Sequence, residues 1–252
     1  MTWKINREAF VLLAGPRALL LQIAHPGIAA GVFEHSDWRA HPWRRLWNTL
    51  WLMSQVIFSR PAASRKALQR INAAHRPVKG IYYSQPETKP RHYSAHDPEL
   101  SFWVIATLID SSVYAHERWG TAIDSEGLET YYQESLKLTP LFGLNPALPP
   151  QNWRAFQHYF DEILNSGALC STQVSSQLTH AILNRNKALS PFVSSLAASS
   201  LPESVRLGFN LPWTEAQELK WRRIDGAIRR YVQNTPLWMR ENPVALLARL
   251  KT

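Results

Sequence analysis

The sequence predicts an all-α protein, and three observations support this class. Apolar residues recur with a helical period in about ten segments. Prolines stand at the boundaries of these segments, where their fixed backbone angle suits a first helical turn. A single stretch, residues 80–96, has the proline, tyrosine and polar content of a loop or small hairpin. The interval 143–150 is too short and apolar to separate independent units, so residues 1–252 are predicted to form one domain.

The N-terminal part is predicted to be buried. The run 9–24 is apolar nearly all round, as in a helix enclosed by protein, and it is too short to span a bilayer. A Gly-Pro-Arg step interrupts the run, and Pro16 suits the start of a helix that continues to His25. A second short helix is predicted over 27–34.

Residues 42–80 are predicted to contain two helices that pack against each other. The first covers 42–58. The second begins at Pro61 and ends at His75, because Pro77 follows closely and disfavours helical geometry before it. The connection between them is short, which favours antiparallel packing.

Polar side chains on this pair are the strongest candidates for chemistry. Arg45, Asn48 and Thr49 share one face of the first helix, and an apolar stripe on the second helix ends in His75. Arg45 at an inner position requires an anion, either a cofactor carboxylate or a protein acid. Thr49 is either a catalytic hydroxyl or a satisfied core hydroxyl. His75 is either an axial ligand to haem iron or a core or C-capping imidazole.

Lys79 and the other histidines complete the candidates. Lys79 is placed one helical turn past His75, where it is a second cation for a cofactor carboxylate. His25 ends a helix, and a structural hydrogen bond is its default role. His35 and His41 flank a turn and are predicted to be exposed. The sequence lacks the HExxH, GxGxxG, Walker and GxSxG motifs, which leaves zincin, nucleotide-binding and serine-hydrolase chemistry without support.

The second half of the chain is predicted to be helical. Asp97, Pro98 and Glu99 supply a cap, a proline at the first position and an acid in the first turn. The helix that they begin runs to Trp119, is apolar over most of its circumference and is predicted to be the central buried helix. Further helices are predicted over 124–142, 151–165, 171–185, 191–199, 202–208 and 214–234, with two short ones beginning at Pro236 and Pro243.

The composition limits the partners and the compartment. The formal net charge is +9, and the 28 Lys and Arg are spread along the chain. No nucleic-acid-binding motif accompanies them, so nucleic acid is not a predicted partner, whereas peripheral contact with an anionic membrane stays open. Cys170 is the single cysteine, which excludes an internal disulfide and a cysteine-based zinc site. No secretory signal is recognisable, and the protein is predicted to be cytoplasmic.

Five segments occur in an order that resembles a known family. They are GPRALLLQIAHPGIAAGVFEHS, RLWNT, INAAHRPVKG, YSAHDPELSFWVIATLIDS and LPESVRLGFNLPW. The sequence is similar, from about Arg7 to Leu250, to the haem-dependent oxygenases that include the bacterial latex-clearing rubber oxygenases and the fungal mycophenolate-pathway oxygenase. The resemblance implies a helical domain around a buried pocket that holds haem b.

The resemblance also implies roles for the helix-pair residues. In the rubber-cleaving members, an Arg-x-x-Lys-Thr helix lies on the distal side of the haem, and the His of a His-x-x-x-Arg helix binds the iron. Carried across, His75 is the iron ligand, and Lys79 stands where the second motif has its Arg. Arg45 and Thr49 match the first motif, while Asn48 replaces a Lys that can occupy the sixth iron position.

The replacement at Asn48 leaves the sixth iron position open, bound by water, or filled by His25 or His35. Glu34 is a loose counterpart of the catalytic carboxylate proposed for the rubber enzymes. Cleavage of rubber itself is not predicted.

The function implied by the resemblance is that of a haem b-dependent oxygenase. Its substrates would be dioxygen and an apolar, unsaturated or isoprenoid-like small molecule, in a pocket lined by residues such as Leu20, Trp47 and Trp103. Arg45 or Lys79 would anchor a haem propionate or orient oxygen. The alternative is a non-catalytic helical protein that binds a lipid or small molecule and keeps the fold without haem. The oligomeric state is left open.

Overall fold

A computed structural model describes residues 1–36, 38, 51–84, 89–184 and 186–250. The all-α class is confirmed: two short strands are the only sheet among the described residues. The first half comprises α1 (Thr2–Asn6), a 3-10 helix (Ala9–Ala14), α2 (Gly15–Ile23), α3 (Pro26–His35), α4 (described over 51–58), α5 (Pro61–His75), β1 (Lys79–Tyr82) and β2 (Arg91–Ser94).

The second half has helices as its only named elements in the described part of the chain, as predicted. It comprises α6 (Pro98–Trp119), α7 (Ser125–Leu136), a second 3-10 helix (Thr139–Phe142), α8 (Trp153–Asn165), α9 (Gln173–Leu183), α10 (Ser190–Ser200), α11 (Glu203–Gly208), α12 (Glu215–Asn234), α13 (Leu237–Arg240) and α14 (Pro243–Leu250).

Helix α6 is the central helix, which confirms the sequence prediction. Its cap is the Asp97 carboxylate, whose Oδ1 accepts from the backbone N–H groups of Glu99 at 2.9 Å and Leu100 at 3.2 Å. The helix packs against the first 3-10 helix, α2 and α12. Its buried side chains join the main core together with residues of α2, α3, α7, α8 and α9.

The predicted hairpin is also present. Strands β1 and β2 pair antiparallel, with Lys79 opposite Ser94 and Tyr82 opposite Arg91. Both strands pack against α3. The hairpin therefore packs on α3, the helix that follows His25. Its first strand begins four residues after the end of α5.

The interruption predicted in the run 9–24 is present, and the helix predicted over 124–142 is also divided; proline is the reason in both. The run 9–24 is a 3-10 helix followed by α2, because Pro16 in the first turn of α2 lacks the N–H that a continuous helix would need. The segment 124–142 breaks after Leu136, since Pro140 has no N–H to donate to the Leu136 carbonyl, which accepts instead from the Thr139 hydroxyl at 2.7 Å. Gly143 ends the second piece in the left-handed region at φ 79°.

Within the described ranges, no single helix is long and apolar enough to cross a membrane. The bent pair formed by residues Ala9–Ile23 and Pro26–His35, with an angle of 104° between its arms, meets the length and composition criteria together.

Candidate functional site

Helix α5 ends in the candidate ligand, as predicted. Ala67, Leu68 and Ile71 are buried, so the stripe on this helix faces protein. They form a small apolar cluster with Val56 of α4, joined by half-buried side chains of α4 and the second 3-10 helix. His75 is the last residue of α5, and its side chain is exposed beyond the buried stripe.

The surroundings of the His75 imidazole favour its neutral form. Desolvation by nearby protein atoms lowers its pKa although part of the side chain reaches solvent, and the neighbouring His96 lowers it further. No described residue shares a hydrogen bond with the ring. An imidazole at the end of a helix, with no hydrogen-bond partner among the described residues, can donate a nitrogen lone pair to a metal.

Lys79 does not extend the face that carries His75. The helix stops at His75, Pro77 follows, and Lys79 is the first residue of β1. The expectation that Lys79 lies one helical turn past His75 is therefore wrong. Its side chain is exposed, and its backbone carbonyl is 3.2 Å from Nε2 of His35.

His25 has the structural role predicted for it. Its Nδ1 accepts from the backbone N–H of Gly27 at 3.2 Å and caps α3. Burial lowers its pKa to about 4; the Asp97 charge opposes this shift and Arg91 adds to it. Because Nδ1 accepts, the neutral ring carries its proton on Nε2, which is then not available as a ligand atom.

His35 is exposed, as predicted, and its ring also has a bond within the fold. Nε2 lies 3.2 Å from the carbonyl oxygen of Lys79, so this nitrogen donates and carries the proton. Both histidines considered for the sixth iron position thus commit one ring nitrogen to structural contacts around α3.

Glu34 accepts a short hydrogen bond from the hairpin. Tyr93 Oη donates to Glu34 Oε2 at 2.6 Å, and Tyr93 is only 3% exposed. Burial, followed by this hydrogen bond and the Glu34 charge, raises the pKa of Tyr93. The Glu34 carboxylate is itself exposed, with His35 Nε2 at 3.9 Å. The loose catalytic candidate is therefore held at the surface between α3 and β2.

The other predicted site residues fall into two groups. Arg45, Asn48, Thr49, Trp47 and His41 lie outside the described residues. Leu20 and Trp103, expected to line the pocket, are enclosed in the main core, whereas the stripe of α5 belongs to a different apolar cluster. Trp103 Nε1 donates to the Leu21 carbonyl at 3.1 Å, and its ring stacks on Phe160.

A buried charge network was not predicted. Arg17 is 6% exposed, and its Nη2 donates to Asp110 Oδ2 at 2.5 Å, while Nη1 donates to the Ser200 carbonyl. The guanidinium also lies 4.9 Å from the ring centroid of Tyr114. Burial raises the pKa of Asp110, and Arg17 opposes that shift. The sequence contained a signal for this network: Arg17 follows Gly15 and Pro16 inside an apolar run. A charge buried in such a run requires a partner, which predicts an acid or a carbonyl nearby.

Comparison with known proteins identifies the family. The profile described as "ER-bound oxygenase mpaB/B'/Rubber oxygenase, catalytic domain" matches residues 3–230. The chain belongs to this oxygenase family. It is 25% identical over 223 residues to an uncharacterized protein of Mycobacterium bovis and, equally, to one of Mycobacterium tuberculosis, with 84% of each chain covered. No solved structure matches the chain.

The residues present fit a haem ligand set in one respect. In the described part of the chain, no three or more His, Cys, Asp or Glu side chains gather as a metal site. A haem needs a single axial protein ligand rather than such a group, and His75 offers one imidazole, exposed at the end of α5.

Proposed function

We propose that this member of the oxygenase family is a haem b-dependent oxygenase. Its substrates would be dioxygen and an apolar, unsaturated or isoprenoid-like small molecule. The observation that carries the proposal is the match to the oxygenase family over residues 3–230, and the imidazole of His75 at the end of α5 is the residue to which we assign the iron. Haem, when bound, would supply the iron at which dioxygen is activated.

Each residue of the helix pair has a part in this proposal. His75 would donate a nitrogen lone pair to the iron, and the buried side chains of Leu68 and Ile71 hold α5 in place behind it. Arg45, or Lys79 at the start of β1, would bind a haem propionate through its positive charge. Asn48 and Thr49 would orient dioxygen, since an amide and a hydroxyl can donate hydrogen bonds but are poor iron ligands.

The test is the absorption spectrum of protein supplied with haem. The wild type is expected to show a Soret band with about one haem per chain, and His75→Gly is expected to lose most of that absorbance. Free imidazole should restore the band in His75→Gly, because it can occupy the vacated ligand position. His158→Gly, on the exposed face of α8, is the matched control and should keep the wild-type spectrum.

A colourless wild type in the presence of haem would overturn the proposal. So would a His75→Gly variant with an unchanged spectrum. Circular dichroism of both variants separates loss of the ligand from loss of the fold.

The second candidate is a binder of lipids or small molecules without haem. Asn48, at the position where the rubber-cleaving members have a Lys, is the observation that favours it. This candidate predicts no haem in the purified protein together with saturable binding of a fatty acid or isoprenoid. Oxygen consumption with polyunsaturated or isoprenoid substrates is expected only from the oxygenase.

A further inference from the structure

Several large apolar side chains are exposed on the C-terminal part of α12, on α13 and on the first 3-10 helix. Trp238 and Met239 of α13 are 67% and 55% exposed, and Tyr231 of α12 is 56% exposed. Leu12, on the first 3-10 helix, is 45% exposed. Single exposed apolar residues are ordinary on protein surfaces, but a group of them indicates a contact surface.

Two of these residues, Tyr231 and Met239, belong to a shallow groove of about 450 Å³ between the first 3-10 helix, α12 and α13. Leu12 and Trp238 are their neighbours or the neighbours of other lining residues in the chain. Leu13 and Ile228 also line the groove. Phe10, which is buried and belongs to the second core cluster, forms part of its floor. The groove therefore has a fixed apolar base and a rim of large exposed side chains.

A basic stripe runs beside the groove on α12. Lys220, Arg223 and Arg230 are exposed, and their spacing places them on the same helix face as Ala227, which lines the groove. Among the described residues, no acidic side chain pairs with any of the three. Neighbouring cations of the same region are engaged instead: Arg222 with Glu218, Arg229 with the Arg118 carbonyl, and Arg240 with Glu8.

We propose that this surface, the α12–α13 face, docks on an anionic lipid bilayer. The exposed side chains of Tyr231, Trp238 and Met239 suit the boundary between headgroups and acyl chains, and the basic stripe suits acidic headgroups. The formal net charge of +9 adds a general attraction. The proposal does not depend on haem or on the reaction.

The charges favour a membrane over a second copy of this chain. A two-fold contact through the groove would set the same surface against itself. The stripe of Lys220, Arg223 and Arg230 would then approach its own copy, and like charges repel. A bilayer with acidic headgroups offers the opposite charge over an extended plane.

The experiment is flotation of the full chain with vesicles of phosphatidylcholine, with and without phosphatidylglycerol. Wild type is expected to float with the anionic vesicles and to be released by raised salt. The double variants Trp238→Ala/Met239→Ser and Arg223→Glu/Arg230→Glu should each bind at least about tenfold more weakly, because one loses apolar anchors and the other reverses two charges.

Matched controls lie elsewhere on the surface. Leu207→Ala removes an equally exposed apolar side chain from α11, and Arg154→Glu reverses an exposed charge on α8. Both should bind as the wild type does. Equal binding to neutral and anionic vesicles, or full binding by the double variants, would overturn the proposal. A dimer that Trp238→Ala dissociates, in a chain that binds no vesicles, would assign the face to a second copy.

Discussion

The His25 ring connects the start of α3 to the hairpin. Nδ1 caps the helix, and the ring contacts Tyr82 of β1 edge to face, with 6.0 Å between ring centroids. A protonated His25 would lose the lone pair that accepts from Gly27, which agrees with the lowered pKa of the ring. Burial of the ring and its bond to Gly27 therefore favour neutral His25 in the folded chain.

Stability is expected to fall in acid because of this residue. The pKa of His25 is about 4 in the folded chain, below the ordinary value of 6.5, so the unfolded chain binds the proton more readily. The contribution is fully present above pH 6.5 and is lost as the pH falls towards 4, by up to about 3 kcal/mol. His25→Asn keeps a capping oxygen without a titrating ring and should reduce the loss.

Urea denaturation at pH 7 and pH 4.5 measures this difference. His158→Asn, at an exposed position on α8, should retain the wild-type pH dependence. An identical pH dependence in His25→Asn and wild type would contradict the role assigned to His25.

At the scale of elements, the hairpin is fitted to α3 through Tyr93. A Cβ atom on Gly80 of β1 would lie 2.7 Å from Tyr93 Oη and 2.9 Å from two of its ring atoms. A Cβ on Gly31 of α3 would lie 3.3 Å from the same ring. Glycine at these positions lets the ring enter between the strand and the helix and reach Glu34.

Gly80→Ala is expected to destabilise the protein by about 1–3 kcal/mol, because the buried Tyr93 ring must move. Gly226→Ala in the middle of α12 is a control with the opposite expected effect, since a Cβ there would meet no atom within 4 Å. It should stabilise by about 0.5–1 kcal/mol through helix propensity. The midpoint of urea denaturation reports both changes. A neutral Gly80→Ala would mean that Tyr93 can move without cost.

At the scale of the whole molecule, the Arg17 network joins helices that are distant in the chain. Arg17 of α2 binds Asp110 of α6 and the Ser200 carbonyl at the end of α10. Arg118, further along α6, continues the connection with a 2.7 Å bond to Asp225 of α12. Charged pairs of this kind set the relative positions of four helices, although their net contribution to stability is small.

Removal of one partner is expected to be costly. Arg17→Met leaves the Asp110 carboxylate without its cation and should destabilise the protein by about 3 kcal/mol at neutral pH. Burial already raises the pKa of Asp110, and without Arg17 it should rise further. Protonation then relieves the buried charge, so the destabilisation should be smaller at pH 5 than at pH 7.

Thermal or urea denaturation at the two pH values tests this expectation. Arg154→Met on the surface of α8 controls for the loss of an arginine and should change little. An Arg17→Met variant with equal losses at both pH values would show that Asp110 does not carry the effect.

The helices and their ends follow from local chemistry. Asp97 before Pro98 encodes the start of α6, and Pro77 encodes the end of α5 at His75, because capping and proline geometry act within one helical turn. These features were predictable from neighbouring residues alone. The family was likewise predictable from the five ordered segments of the sequence, since family membership is read from residue identity and order.

Contacts between distant parts of the chain were not predictable in this way. The partner of Arg17 lies 93 residues away, and the Tyr93–Glu34 bond spans 59 residues. Lys79 was expected one helical turn past His75 and lies on a strand, and Trp103 was expected at a pocket and lies in the main core. Side-chain surroundings of this kind arise from the packing of whole helices, which sums many weak contacts over the entire chain and leaves no local pattern.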